Sequence, residues 1–375
     1  MNVQPTPEPK LQFLGLDPRK TKKNTIEGLV SPLGSLIWRR MPPLGLSGYA
    51  DTAQRADEAY AAAQRPMQNQ LAANAQKKIY GWQYNGSRSY FERHQTVVAV
   101  AWNGLNGSRR AFMDGARDAG ARTLYFELAP IKGRITCDPI GVNQMNSLPR
   151  DIGFYLNWMD KTSATSNDWR SYRASITQRA SVHQKPTGNE TEISGGPYLF
   201  APLQVPGDSQ LRLFGGRFKT VPDFIDALIL ASDALPKGWH LKIKEHPTAD
   251  QSYANLITGR SPKVVLDNRS DTFALVAGSS GVITVNSSVG LEAMFFDKPV
   301  IACGESFWAL EGLASSASDT GLISAFFAQP EAISFDTSAR AAFLTYLLQD
   351  YYLAEKDGMT EAPKILKRIN AGIVA

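Results

Sequence analysis

Residues 281–303 read GVITVNSSVGLEAMFFDKPVIAC, and this stretch decides the fold of the second half of the chain. The β-branched run GVITV is typical of a buried strand, residues 289–296 have a helical pattern, and PVIAC forms a second apolar strand. Parallel strands need a crossover connection, usually a helix. The order strand, helix, strand therefore predicts two parallel strands in one sheet.

The same alternation extends outward from this stretch into both halves of the chain. Further strands are predicted at YLFAPLQ (198–204), WHLKIKEH (239–246) and KVVL (263–266), and further helices over 221–235, 251–257 and 270–277. Nearer the N-terminus, a second β-α-β unit is predicted from TVVAVAW (96–102), a helix over 108–119 closed by Gly120, and RTLYFEL (122–128). The pattern predicts two doubly wound α/β domains of Rossmann type, with a ligand cleft between them.

The predicted boundaries follow from shifts in composition. One Rossmann-like domain is assigned to residues 96–190 and the second to 191–340, with the polar, Gly- and Pro-bearing segment at 181–197 as the linker. Residues 341–375 are predicted to be helices that pack back on the N-terminal domain. Residues 1–95, which are rich in Pro, Gly, Ala and basic side chains, are interpreted as a basic, helical extension outside both cores.

Composition excludes several classes of protein. The 375 residues are 43% hydrophobic and 20% charged, and contain no apolar run long enough to span a bilayer, so a cytoplasmic globular protein is expected. The two cysteines, Cys137 and Cys303, lie far apart and outside any CxxC or Cys/His cluster, which argues against a disulfide framework or a zinc site. DxD, P-loop and G-x-G-x-x-G motifs are absent, so neither a metal nor a cofactor is expected.

The net charge of +5 is modest, and its distribution does not suggest nucleic acid as a partner, because a basic stripe with interleaved aromatics is missing. Basic residues cluster only at Arg19, Lys20, Lys22 and Lys23, and at Arg39 and Arg40. Two interpretations of this N-terminal arm stay open, a solvated tail or peripheral contact with anionic lipid headgroups at the inner membrane.

Ligands of open parallel sheets bind beyond the carboxyl ends of the strands. Polar residues follow three predicted strands, at 204–209, at 245–247 and at 286–288, and they are expected to converge. In the third group, Ser287 and Ser288 fit either a helix cap or a phosphate site at a helix start.

The other two groups also leave alternatives open. Strand alternation places His246 on the same face as Lys244, where a histidine is suited to a phosphate or to proton transfer, or is purely structural. Asp208 follows Pro206 and Gly207, so turn chemistry explains it as readily as a nucleophile does.

Taken together, LQVPGDSQ (203–210), KIKEHP (242–247) and TVNSSVGLEAMFFDKPVIACG (284–304) resemble the motifs of the capsule polysaccharide biosynthesis and export family, of the KpsS and KpsC type. In the first half, AWNG (101–104), YFE (125–127) and the run from Asp138 through GVN to NSLPR (146–150) are similar to that family's landmarks. The resemblance covers roughly residues 96–350.

The resemblance implies a GT-B architecture and retaining transfer of Kdo from CMP-Kdo, giving a β-linked product on a lipid or glycolipid acceptor. It implies Asp208 as the nucleophile, His246 as the group that stabilises the departing phosphate, and Glu127 as the base that activates the acceptor. The residues implied on the donor side are Gln204, Ser209, Lys244, Asn286, Ser287, Ser288, Gly290 and Glu292. Those implied on the acceptor side are Asn103, Asp138 and Asn143.

One segment departs from the family pattern. GESFWALEGLA (304–314) is looser than the family's sequence there, which leaves nucleobase stacking by Phe307 or Trp308 open. Glu292 likewise fits either a ribose contact or a supporting structural role.

Two other functions also fit. A polyol-phosphate polymer transferase of the CDP-glycerol type has a similar frame, a His-Pro element and serines at a helix start. The other is a non-catalytic component of capsule assembly that works with the export machinery.

Overall fold

The computed structural model of the chain describes residues 10–162, 168–177, 195–249 and 251–371, and these form two compact units. Unit 1 contains the residues up to Ala129, Gly133–Ser147 and those from Asp350 onward, and unit 2 contains Pro130–Lys132 and Leu148–Gln349. Each unit has its own six-stranded sheet. The predicted α/β class with two Rossmann-like domains is confirmed.

The sheet of unit 1 has the strand order β2-β1-β3-β4-β5-β12. β2, β1, β3 and β4 are parallel, whereas β5 is antiparallel to β4 and to β12. The strands are β1 (Leu11–Leu16), β2 (Gly34–Arg39), β3 (Val97–Trp102), β4 (Thr123–Leu128), β5 (Arg134–Asp138) and β12 (Leu353–Ala354). The helices are α1 (Lys20–Val30), α2 (Thr52–Ala61), α3 (Gln70–Arg93), α4 (Gly107–Asp118) and α13 (Gly358–Ala371), with a 3-10 turn at Asn143–Met145.

The interpretation of residues 1–95 as an extension outside the core is wrong. β1 pairs with both β2 and β3, so the described part of this segment supplies two of the six strands of the sheet. α2 and α3 bury Ala59 and Tyr84 in a cluster that also contains Ala111 of α4. The basic residues at 19–23 are not a solvated tail, because they form the start of α1.

Unit 2 has an all-parallel sheet in the order β8-β7-β6-β9-β10-β11. Its strands are β6 (Tyr198–Pro202), β7 (His240–Lys244), β8 (Val264–Leu266), β9 (Gly281–Thr284), β10 (Val300–Ala302) and β11 (Ser315–Ser316). Its helices are α5 (Ile152–Asp160), α6 (Ser209–Phe214), α7 (Val221–Ser232), α8 (Ala254–Ile257), α9 (Thr272–Gly278), α10 (Ser288–Met294), α11 (Thr320–Ala328) and α12 (Thr337–Tyr346). Short helical turns lie at Asp168–Ser175, Pro330–Ala332 and Leu347–Tyr351.

The predicted boundaries at 190/191 and 340/341 differ from those of the structure. α5 and the turn at Asp168–Ser175 belong to unit 2, where Tyr155 packs on Phe343 of α12 with ring centroids 5.0 Å apart. The return to unit 1 comes at Asp350. Residues 181–194 of the predicted linker lie outside the described residues. Among the described residues, no helix combines the length and apolarity needed to cross a bilayer.

The alternation predicted along the 239–246 segment explains how β7 is buried. Leu241 and Ile243 lie in the main core of unit 2, whereas His240 faces the ring of Tyr198, 5.4 Å away. His240 is 3% exposed, and neither ring nitrogen has a hydrogen-bond partner among the described residues. Burial lowers the pKa of His240, and the neighbouring charge of Lys242 lowers it further.

We therefore expect unit 2 to lose stability in mild acid. The pKa of His240 is lower in the folded state, so below about pH 6.5, the value of an unperturbed histidine, the unfolded chain binds more protons. The stabilisation is complete above that pH and declines as the pH falls toward the folded pKa. Urea unfolding between pH 5 and 7.5 measures this, with at most about 1.4 kcal/mol per pH unit from one proton.

The variant His240→Leu should flatten this pH dependence, because its side chain does not titrate. The control His94→Gln, at an exposed position, should retain the slope of the parent protein. An equally steep slope in His240→Leu would assign the acid sensitivity to another group.

Candidate functional site

The topology of unit 2 identifies where a ligand should bind. β7 and β8 continue the sheet on one side of β6, and β9, β10 and β11 continue it on the other. The order therefore reverses between β6 and β9, and crevices at such switch points, beyond the carboxyl ends of the strands, are the usual ligand sites of doubly wound sheets.

Gln204 joins the loop after β6 to the loop after β9 at this switch point. Its Nε2 donates to Asn286 Oδ1 at 2.9 Å and to Asp208 Oδ2 at 3.2 Å, while its Oε1 accepts from the Asn286 N–H at 3.3 Å. Gln204 is 7% exposed and Asn286 9%. Because both amides are buried and bonded to each other, the loops after β6 and β9 are fixed relative to one another.

Asp208 is the N-cap residue of α6. Its Oδ1 accepts from the Gln210 N–H at 2.9 Å, and Ser209 is the first residue of the helix. Asp208 thus has the turn role that its sequence context indicates. Its carboxylate is half-buried, and each oxygen accepts one hydrogen bond. A cap and a nucleophile are compatible, since the hydrogen bonds fix the orientation of the carboxylate and leave lone pairs on both oxygens.

An open pocket lies beside this bridge. It is lined by Thr177, Pro202, Leu203, Lys244, Glu245, His246, Pro247, Thr272, Phe273, Ser287, Ser288, Val289 and Glu292. The ends of β6, β7 and β9 therefore converge, although the predicted polar residues at 204–209 are not part of the lining.

His246 presents a defined tautomer to its surroundings. Its Nδ1 lies 3.2 Å from the backbone N of Thr248 and 3.0 Å from Thr248 Oγ1. An N–H can only donate, so Nδ1 is the acceptor and the proton of the neutral ring is on Nε2. The neutral imidazole thus carries one N–H donor, at Nε2.

Lys244 and Glu245 are both anchored to the loop that follows β8. Lys244 is 4% exposed, and its Nζ donates to the carbonyl oxygens of Asn268 and Ser270 at 2.9 and 2.8 Å. Glu245 Oε2 accepts from Asn268 Nδ2 at 2.8 Å, and its Oε1 accepts from Ser252 Oγ and from the backbone N–H of Tyr253. These contacts make Lys244 a supporting residue of the pocket wall.

The start of α10 combines a cap with tight packing. Ser287 is its N-cap residue and accepts from the Val289 N–H at 3.2 Å, so the cap interpretation holds for Ser287. A Cβ built at Gly290 would collide with the Trp308 ring, which is 1% exposed. Gly290 therefore serves helix packing, and Trp308 is a core residue and is not positioned to stack on a nucleobase.

The predicted residues divide into three groups. His246, Lys244, Ser287, Ser288 and Glu292 line the pocket, with Glu292 6% exposed. Among the described residues, the lining does not include Asp208, Gln204, Ser209, Asn286 or Gly290, which lie in the loops and helices around it. Glu127 and the three residues predicted on the acceptor side belong to unit 1.

Among the pocket residues, sequence reasoning missed Thr177, Thr272 and Phe273, whereas Glu245 belongs to the 245–247 group that it expected there. Thr272 and Phe273 begin α9, just after β8, so applying the strand-end rule to β8 finds them. Phe273 is 9% exposed and stacks on Phe296 with centroids 5.7 Å apart, which supplies an apolar wall. No sequence pattern marks Thr177, because the segment that follows it has no hydrophobic periodicity.

In unit 1, Glu127 and Asn103 meet at the carboxyl ends of β4 and β3. Asn103 Nδ2 donates to Glu127 Oε2 at 3.0 Å, and Glu127 Oε1 accepts from the Leu128 N–H at 3.0 Å. Asn103 has a φ of 63°, a left-handed conformation that asparagine tolerates better than most residues. Burial lowers the pKa of the Arg109 guanidinium, and the negative charge of Glu127 partly offsets this shift.

Asp138 supports the loop that follows β5 and is not placed for contact with a ligand. It is 0% exposed, and its carboxylate accepts five hydrogen bonds of 2.8–3.0 Å. The donors are the backbone N–H groups of Ile140, Gly141 and Ser147, Ser147 Oγ and Tyr351 OH. Asn143, at φ 53°, lies within the loop that Asp138 holds.

Comparison with known proteins gives a family match over the second half of the chain. Residues 185–355 match the family described as capsule polysaccharide biosynthesis protein. Protein FixF of Sinorhizobium fredii is 29% identical over 272 residues, which are 72% of this chain and 63% of that protein. The capsule polysaccharide export protein KpsS of Escherichia coli is 25% identical over 53% of this chain and 64% of its own length. The chain thus spans less than two thirds of either relative.

Among solved structures, the β-Kdo 2,7-transferase domain of Thermosulfurimonas dismutans KpsC superposes with a TM-score of 0.51. The match covers 95% of this chain and 99% of that chain, at 12% sequence identity. At this identity the likeness shows the fold alone, which is the GT-B class of two Rossmann-like domains seen in glycosyltransferases.

Proposed function

Because residues 185–355 match the capsule polysaccharide biosynthesis family and the chain has the fold of glycosyltransferases, we propose that this protein transfers a sugar to a capsule or surface-polysaccharide acceptor. The observation that carries the proposal is the pocket at the switch point of unit 2. It brings an imidazole N–H, two serines and a carboxylate together at the position where doubly wound sheets bind nucleotides.

For the donor, we propose CMP-Kdo. The matching KpsC structure is named as a β-Kdo 2,7-transferase, and the capsule polysaccharide export protein KpsS is 25% identical to this chain over 256 residues. His246 and Ser288 would contact the single phosphate of CMP, and the carboxylate of Glu292 would accept from the ribose hydroxyls. The acceptor is proposed to be a lipid or glycolipid hydroxyl, and transfer is proposed to proceed without a metal ion, which unchanged turnover in EDTA would support.

The proposed reaction is a double displacement with net retention. The Asp208 carboxylate attacks the anomeric carbon of Kdo, forming a carbon–oxygen bond while the bond to the phosphate breaks and CMP departs with the electron pair. The acceptor hydroxyl then attacks that carbon, releases Asp208, and gives its proton to a base. Glu127 stays the sequence prediction for that base.

The test is calorimetric titration of the purified protein with CMP, CDP, UMP and UDP. Selective binding of CMP supports the CMP-sugar proposal and leads to acceptor screening with CMP-Kdo. Preference for CDP would replace it with a polyol-phosphate transferase, and the absence of binding to all four nucleotides would leave a non-catalytic assembly role.

His246→Ala is expected to weaken CMP binding by about 10- to 100-fold. The reason is the loss of one hydrogen bond to a charged group, worth about 1.5–3 kcal/mol. His94→Ala, which removes an exposed histidine in unit 1, serves as the control and should bind CMP like the parent. Equal affinities for parent and His246→Ala would remove His246 from the donor site.

A further inference from the structure

We propose that unit 1 binds the surface of an anionic lipid bilayer through an exposed apolar and basic face, called here the Leu46 face. The face combines the loop after β2 with the outer stripe of α3. Its members are Arg39, Arg40, Met41, Leu44, Leu46, Leu71, Lys78, Ile79 and Trp82.

Backbone contacts show that the loop and the helix form one surface. The N–H of Gly45 donates to the carbonyl oxygen of Trp82 at 2.9 Å. The loop also crosses α3 at Gly86, where any Cβ would collide with the carbonyl oxygen of Pro43. At the end of β2, the Arg39 guanidinium lies 5.2 Å from the centroid of the Tyr90 ring of α3.

The apolar side chains of this face are unusually exposed. Leu46 is 82% exposed, Leu71 80%, Leu44 57% and Ile79 44%. Along α3, positions 71, 75, 78 and 82 share one stripe at helical spacing, so Leu71 and Trp82 lie on the same side. Exposed apolar residues that cluster in this way mark interaction surfaces.

The charged residues within the segments that form this face are all basic. Residues 28–50 and 59–91 contain six Lys and Arg and no Asp or Glu, whereas the whole chain has a net charge of only +5. Four carboxylates flank these segments, and all four have partners. Asp51 and Glu92 pair with Arg88, at 3.3 and 3.2 Å. Glu58 pairs with Arg55 and Arg110, and Glu27 accepts from Trp38 Nε1. Arg39, Arg40 and Lys78 are exposed, and Lys78 lies over the Trp82 ring.

This combination favours a bilayer as the occupant. Leucines enter the acyl boundary, an indole is stable at the interface, and Lys and Arg pair with anionic headgroups. A second copy of the chain is a poorer fit, because a twofold contact would bring Arg39, Arg40 and Lys78 against their own copies. The basic residues at 19–23 contribute less, since Lys22 and Lys23 lie over the rings of Trp102 and Trp38.

Co-sedimentation of the full chain with vesicles tests the proposal without nucleotide or acceptor, so its result is independent of the proposed donor. We expect binding to an equal mixture of phosphatidylcholine and phosphatidylglycerol, weaker binding to phosphatidylcholine alone, and weakening by salt. The double variant Leu44→Gln/Leu46→Gln should reduce the partition coefficient at least about tenfold. Arg39→Gln/Arg40→Gln should remove the preference for the anionic vesicles.

Matched controls lie in unit 2. Leu230→Gln changes a leucine of α7 that is 65% exposed, and Lys237→Gln changes an exposed lysine, so both should bind vesicles like the parent. Parent protein that fails to sediment with the anionic vesicles overturns the proposal, as does equal binding by the leucine variant. A dimer in solution that Leu44→Gln/Leu46→Gln dissociates would assign the face to a second copy instead.

Discussion

Replacement of Asp208 by Asn is expected to lower sugar transfer by roughly three orders of magnitude or more, the scale of removing a covalent nucleophile. An asparagine side chain caps helices about as well as an aspartate, so the bond from the Gln210 N–H should persist. The amide cannot form the glycosyl ester. Turnover of CMP-Kdo with a lipid acceptor measures the loss, and calorimetry should show CMP affinity within about twofold of the parent.

Asp208→Ala separates the two roles of this residue. It removes both the cap and the carboxylate, so it should lose about 1 kcal/mol of stability in addition to activity. If Asp208 only caps α6, Asp208→Asn will turn over like the parent while Asp208→Ala is merely less stable. That outcome would exclude the nucleophile assignment.

Asp138→Ala is expected to destabilise the protein by about 3–5 kcal/mol, because it leaves buried donors of the 140–147 loop and of Tyr351 without an acceptor. Asp138→Asn should lose less, since its one oxygen still satisfies part of this set. Urea unfolding followed by tryptophan fluorescence measures both variants. Any change in activity should follow the folded fraction, because this carboxylate is fully buried.

The control for this experiment is Asp17→Ala. Asp17 pairs with Lys23 at 3.5 Å, and its side chain is 40% exposed, so the loss should stay below about 1 kcal/mol. A folded Asp138→Ala protein with normal stability and a raised acceptor KM would return Asp138 to the acceptor site.

Local sequence patterns predicted most strands whose side chains are buried on both faces, but not β1 and β5, which are also largely buried. β3 and β9 are apolar, β-branched runs, and their burial along the whole length makes the pattern easy to recognise. β2 was not predicted, because its residues alternate between half-buried and exposed and it ends in Arg39. β12 has two residues and is defined only by its pairing with β5, which no local pattern reports.

The part of the candidate site that lies at strand ends could be predicted from the sequence. His246, Ser287 and Ser288 meet in the pocket because parallel strands end at one edge of the sheet. The burial of Asp138 was not predictable, because Tyr351, one of its donors, lies 213 positions away in the sequence. The bridge from Gln204 to Asn286 likewise spans 82 positions, and only the fold brings them together.

The pairing of β12 with β5 has a consequence for synthesis on the ribosome. Unit 1 begins near the N-terminus, yet its sheet is completed by Leu353–Ala354, and Arg368 of α13 donates to the carbonyl oxygens of Cys137 and Tyr351. Unit 2 is encoded between these parts. Of the two units, the one whose synthesis starts first therefore finishes folding last, because it waits with one open edge until β12 has emerged.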